Sequence, residues 1–226
     1  MTRMSIAAAA GVLFLSGAAR AHQPIFPEGA HSDPANAVEI EDPTLSQVVY
    51  SELSPSAPQL WLTFELEAGQ ELYVQLGVPA IDRLEGYRPS VAVVGPGLPH
   101  ASLPFAAPAN TGAVVFPAGD EPELFYEPFT GTESWIRREE LVTVSQAGRY
   151  YAVAFSPTGQ TGKLWVAVGR REEFGLDEIA SFGEVLNRVR EFHELPEGSS
   201  PPCFLIPMAV ALSILGLCRS RWARGR

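Results

Sequence analysis

In Leu60-Trp61-Leu62-Thr63-Phe64-Glu65-Leu66 an apolar residue stands at every second position, as a strand with one buried face requires. Leu72, Val74, Leu76 and Val78 repeat that alternation and end at Pro79, and the turn Ala68-Gly69-Gln70 between the two runs predicts a hairpin. Thr44 to Leu53 opens the folded region, bounded by Asp42-Pro43 and Ser54-Pro55. Ser90 to Val94 and Gly112 to Phe116 read as short strands on either side of a proline-rich loop or edge segment, Leu98 to Asn110. Asp120 to Thr132 reads as irregular, Trp135 and Ile136 begin a further strand, and Leu141 to Val144 the next. Tyr150 to Phe155 and Lys163 to Val168 are the clearest strands. The turn residues between them, Pro157 to Gly162, predict a second hairpin. The period then changes: Ile179, Phe182, Val185, Leu186, Val189 and Phe192 recur at three and four, which predicts an amphipathic helix from Asp177, its N-cap, to His193.

Two further segments set the expected location. Met1 to Ala21 has the basic start (Arg3), the apolar run (Ile6 to Leu15) and the small-x-small end (Ala19-Arg20-Ala21) of a signal peptide. Gly198 to Cys218 carries no charge and is followed by Arg219, Arg221, Arg224 and Arg226, the length and flank of one bilayer crossing with its cytoplasmic end. The strongly apolar part, Cys203 to Cys218, is short and interrupted by Pro207, so a processed sorting signal is the alternative to a permanent anchor. The expected fold is mainly β: an antiparallel β-sandwich followed by one amphipathic helix and one C-terminal transmembrane helix. The expected divisions are 1–21 signal peptide, 22–43 extended arm, 44–170 sandwich, 171–197 helix and linker, 198–218 transmembrane helix and 219–226 cytoplasmic tail. The chain is then a single-pass protein of a bacterial cell membrane with its N-terminal domain outside.

Charge sharpens this picture. All 26 acidic residues lie between Glu28 and Glu197 with only ten basic ones, a balance of −16 for the exported part. Such a surface repels nucleic acid and anionic lipid and favours cations, basic partners or plain solubility. The two cysteines, Cys203 and Cys218, both fall in the terminal apolar stretch, too far apart on a helix to bridge. The exported part therefore has no disulfide, no thiolate metal site and no catalytic thiol.

Ala147-Gly148-Arg149-Tyr150-Tyr151-Ala152-Val153-Ala154-Phe155, followed by Gly159 and by Gly162-Lys163-Leu164-Trp165-Val166-Ala167-Val168-Gly169, resembles the closing strands of bacterial pre-peptidase C-terminal-type β-sandwiches. The order of signal peptide, sandwich, Tyr126-Glu127-Pro128-Phe129, this strand pair, helix and anchor is also similar to a family of uncharacterised exported bacterial membrane proteins. The first resemblance implies an accessory module rather than a catalyst; the other implies no activity.

Candidate chemistry is sparse. Cleavage after Ala21 would expose His22, whose free amine and imidazole could grip copper with a second histidine, His31, His100 or His193. The competing reading is that His22 is merely the residue after a signal peptide. Glu121, Glu123, Glu127, Glu133, Glu139 and Glu140 crowd one stretch, but nothing singles out a glycosidase pair or a calcium loop. Trp61 and Trp165 lie out of phase with the apolar faces of their strands and, with Trp135, could form a sugar-stacking platform; the alternative is a second buried face under the helix. No Gly-x-Ser-x-Gly, Walker or dinucleotide motif is present. The expected function is a non-catalytic, membrane-anchored binding or accessory module whose partner is an envelope protein or extracytoplasmic ligand. A copper protein and a carbohydrate-binding module are the alternatives.

Overall fold

A computed structural model of the protein describes residues 23–172 and 176–196. The signal peptide, His22, the segment 198–218 and the basic tail lie outside these residues. Eleven strands form two sheets: β1 (Gln23–Ile25), β2 (Val38–Glu39), β3 (Gln47–Leu53), β4 (Gln59–Leu66), β5 (Glu71–Pro79), β6 (Ser90–Gly95), β7 (Gly112–Phe116), β8 (Glu123–Glu127), β9 (Thr132–Thr143), β10 (Gly148–Phe155) and β11 (Gly162–Val168). One sheet runs β1-β3-β11-β5-β9-β8 and the other β2-β4-β10-β6-β7. A helix, α1 (Leu176–Phe192), follows.

Alternation explains the core. Leu60, Leu62, Phe64 and Leu66 of β4 pack with Leu72, Val74, Leu76 and Val78 of β5, and Val91, Val93, Leu164, Val166 and Val168 complete the layer between the sheets. Each such side chain, fully buried, contributes about 1.5–3 kcal/mol. The same alternation misled the expected pairing. β4 and β5 do not form a hairpin, because β4 pairs β2 and β10 whereas β5 pairs β9 and β11. β10 and β11 likewise belong to different sheets. A period of two shows which face is buried but not which strand lies alongside. Both pairs are arches that carry the chain from one sheet to the other.

Three further expectations change. The stretch expected to be irregular holds β8, an edge strand paired to β9 from Glu123↔Ile136 to Glu127↔Thr132. The two strands expected at 135–136 and 141–144 are one strand, β9, whose register shifts opposite Leu76 and Gly77. The N-terminal arm is not loose: β1 adds in parallel to β3, β2 adds in parallel to β4, and Ile40 is buried in the core. The arm thus makes each sheet mixed rather than purely antiparallel.

Helix α1 covers the helix expected at 177–193 to within one residue at each end; the side chains of Asp177, Ile179 and Phe182 lie outside the described set. It ends at Phe192, and Glu194 just beyond holds a positive φ of 58°, a conformation that favours glycine. The Leu195 N–H then donates to the Arg190 carbonyl at 3.0 Å. Among the described residues no helix is long and apolar enough to cross a membrane.

Candidate functional site

Both sheets are covered on their outer faces as well, and this decides the fate of the tryptophans. On the six-stranded sheet, Trp165 packs with Val48 and Ala167 and with the half-buried Tyr50 and Ile136. Gly77 makes room for its ring: a Cβ there would lie 2.0 Å from Trp165 Cζ2. The C-terminal end of α1 closes this face. Phe192 meets Tyr50 edge-on at 5.0 Å, and Tyr50 stacks on Phe26 of the arm at 4.8 Å. Lys163 donates to the Phe192 carbonyl and pairs with Glu194, which also takes both terminal nitrogens of Arg83. These two cations, Arg83 first, hold the Glu194 carboxyl down at about 2.

Within this face Ser134 and His193 form a contact that nothing in the sequence suggested. Ser134 Oγ lies 3.1 Å from His193 Nε2, and Trp165 Nε1 donates to Ser134 Oγ at 3.0 Å. His193 Nδ1 lies 2.8 Å from the Val189 carbonyl. A carbonyl only accepts, so Nδ1 carries the proton and Nε2 accepts from the Ser134 hydroxyl. Every polar atom of the chain Trp165–Ser134–His193 is thereby used. The arrangement imitates a nucleophile and its base but cannot act as one. Both residues are buried, and burial, reinforced by the nearby Lys163 charge, pushes the His193 imidazole down to about 4, which makes it a poor base at neutral pH. The cluster is a clasp that docks the helix.

On the five-stranded sheet, Trp61 is 1% exposed. It packs edge-on against Phe105 at 5.2 Å and Tyr151 at 5.5 Å, beneath the proline-rich segment between β6 and β7. The expected aromatic platform is therefore corrected: Trp61 and Trp165 are buried on opposite outer faces, one under a loop and the other under the helix, and Trp135 is half-buried at the sheet edge. The two-residue alternation was right about a second face and silent about what covers it.

The histidines do not converge. His31 has both ring nitrogens against backbone carbonyls, Asn36 at 2.5 Å and Glu28 at 3.1 Å. His100 is exposed in the β6–β7 segment, and His193 is in the clasp. Among the described residues no group of three potential ligands could hold a metal ion, and His22 lies outside them.

One place differs from the closed faces. The six-stranded sheet ends on β8. Leu124 pairs with Trp135, which packs against the core, so the register points Leu124 and Tyr126 toward the interior side. Yet they are 56% and 46% exposed on this edge strand. Beside them β9 has its bulge. Arg138 stands opposite Leu76 and Ile136 opposite Gly77, so Arg137 is the extra residue, and the bulge aims both arginines to the interior side. Arg137 Cζ lies 5.0 Å from the centre of the Trp135 ring, and Arg138 Cζ 5.7 Å from that of Phe116 across the gap between the sheets. Arg138 pairs with Glu140. Arg137 is 2% exposed, and its Nη2 donates to the carbonyls of Leu84 at 3.3 Å and Glu85 at 2.8 Å. Its Nε and Nη1, and Nε of Arg138, have no acceptor. Burial and the neighbouring Arg88, partly opposed by the Glu85 carboxylate, push the Arg137 guanidinium down to about 10, still charged at neutral pH. Charged donors over aromatic rings at an open apolar edge can bind an anion. Sequence reasoning missed this site because the adjacent pair Arg137-Arg138 reads as one residue in and one out until the bulge is known.

No protein-family model and no curated protein matches the chain. Among solved structures, it is similar to the pre-peptidase C-terminal domain of collagenase from Bacillus anthracis, at TM-score 0.32 and 11% identity, over 57% of this chain and 91% of that one. This is the class of domain that the strands at 147–169 resemble, and at that TM-score no argument about this chain rests on it.

Proposed function

We propose that the protein is an extracytoplasmic, non-catalytic binding or accessory module, exported by residues 1–21 and held at the bacterial cell membrane by residues 198–218. The observation that supports binding is the open edge at β8: Leu124 and Tyr126 are 56% and 46% exposed on the terminal strand of their sheet. Exposed apolar residues grouped at a sheet edge mark contact surfaces. The non-catalytic part is supported by the one serine–histidine pair described above, whose polar atoms are all committed to the clasp. The partner is an envelope protein or a ligand outside the cytoplasm.

The reading is tested in cells carrying the tagged full chain. The protein should fractionate with membranes, be digested by protease added outside the cytoplasmic membrane, and leave the membrane fraction when residues 198–226 are deleted. A further arm captures partners from solubilised membranes. The wild type should enrich a component that Leu124→Lys with Tyr126→Lys fails to enrich. Cytoplasmic location, or identical capture by both forms, overturns the proposal.

A further inference from the structure

We propose that the β9 bulge is a receptor for a carboxylate attached to an apolar body, with Arg137 and Arg138 taking the carboxylate and Leu124, Tyr126 and Trp135 taking the body. This names a ligand class for the open edge and so rests on the binding-module reading. Burying Arg137 is costly. Its side chain is 2% exposed, it keeps its charge, and two of its three nitrogens have no acceptor. A buried charge is tolerated when it is paired and hydrogen-bonded. Here no described carboxylate lies within ion-pair distance of Arg137, although the exported part holds 26 acidic residues. Glu85 offers Arg137 its carbonyl oxygen and favours its charge from beyond ion-pair distance, and Glu140 pairs with Arg138 instead.

Regular alternation would have sent one of the two adjacent arginines to the outer face. The bulge brings both to the same side, with Arg137 over half-buried Trp135, whose partner across the ladder is exposed Leu124, two residues before Tyr126. Bulges re-aim side chains in this way at binding sites. The free Arg137 nitrogens are themselves buried, so a ligand reaches them by displacing the Arg138 side chain, which is 36% exposed. An incoming carboxylate replaces Glu140 as the partner of Arg138 and supplies acceptors to Arg137. The ligand is a monoanion rather than a phosphate dianion. Glu140 stays alongside, and the −16 balance of the exported part repels a further negative charge. The apolar part of the ligand covers Leu124 and Tyr126, which otherwise face water.

The test is calorimetric titration of the purified full chain in detergent with three probes: benzoate, acetate and inorganic phosphate. Benzoate should bind saturably and about tenfold or more tighter than acetate, since its ring buries against the apolar edge. Phosphate should be weaker than benzoate. Arg138→Gln should weaken benzoate by about tenfold or more, the expected loss of a charged hydrogen bond, with its melting temperature unchanged. Arg137→Met should abolish binding. Should that variant fail to fold, Arg138→Gln alone decides the matter. Absence of saturable benzoate binding to folded wild type, equal affinity in Arg138→Gln, or tighter binding of phosphate overturns the assignment. If benzoate fails while capture of a membrane component still depends on Leu124 and Tyr126, the carboxylate site falls and the binding module stands. Benzoate binding without any capture keeps the carboxylate site and removes the envelope-protein partner, leaving a small ligand outside the cytoplasm.

Discussion

Two regions of this sandwich bury polar groups, and they treat them oppositely. Under helix α1, Trp165, Ser134 and His193 form a closed donor–acceptor chain that ends on the Val189 carbonyl. At the β9 bulge, Arg137 is buried to a similar degree but leaves Nε and Nη1 without an acceptor. The clasp has the outward form of chemistry, with a serine beside a histidine, and is architecture. The bulge reads as ordinary surface charge in the sequence and is the stronger candidate for function. A satisfied buried network rigidifies a fold, whereas an orphaned buried charge needs an explanation from outside the chain. Local residue identity is therefore a poorer guide to function here than the accounting of hydrogen bonds.

Three measurements break or sharpen that contrast. The largest effect is expected on the closed side. Gly77→Ala places a Cβ 2.0 Å from the Trp165 ring. The ring cannot move without opening the clasp, so chemical denaturation should show a loss on the order of 3 kcal/mol or more, together with faster proteolysis after α1. A loss below about 1 kcal/mol would mean that the helix end docks independently of Trp165.

Acid gives the next effect. His193 is held down at about 4 against an ordinary 6.5 by burial. Its neutral form is the folded one, so the stabilisation is present above pH 6.5. It falls as the unfolded chain takes up a proton, and is lost once the pH has dropped through about 4. The change over that window is of order 3 kcal/mol. Glu194, also held low, acts in a lower window that overlaps only at its top, from its ordinary 4.5 down to about 2. The slope of stability against pH between 6.5 and 4 should flatten in His193→Gln; an unchanged slope there would assign it to other groups.

The smallest effect is expected at the open edge. Arg137→Met removes a buried charge that has no carboxylate within ion-pair distance among the described residues, at the loss of hydrogen bonds to the Leu84 and Glu85 carbonyls. These oppose each other, so the melting curve should shift by the equivalent of about 1 kcal/mol or less. A collapse of the fold would make Arg137 a structural staple like the clasp and remove the contrast between the regions.

Much of the fold was legible in the residues. The strands at 60–66, 72–78, 150–155 and 163–168 and the helix at 177–193 followed from periods of two and of three to four, which report burial directly. The pairing was not legible, since β4 with β5 and β10 with β11 have short connections that suit an arch as well as a hairpin. β8 escaped because Glu123-Leu124-Phe125-Tyr126-Glu127 sits among prolines and glycines and gains its strand character from β9. The candidate site was least legible of all. The histidines and tryptophans that attracted attention are dispersed or buried, while Arg137 and Arg138 drew none.

Alternation, helical period, charge balance and the placing of the two cysteines are properties of single segments, and the chain determined them before any contact formed. Which sheet each strand joined, which outer face each tryptophan lay under, and which side of β9 each arginine faced depended on partners distant in sequence. The extra residue opposite Leu76 and Gly77 is the clearest instance. One added position reverses the side a charged side chain takes, and only the strand alongside shows that the position is extra.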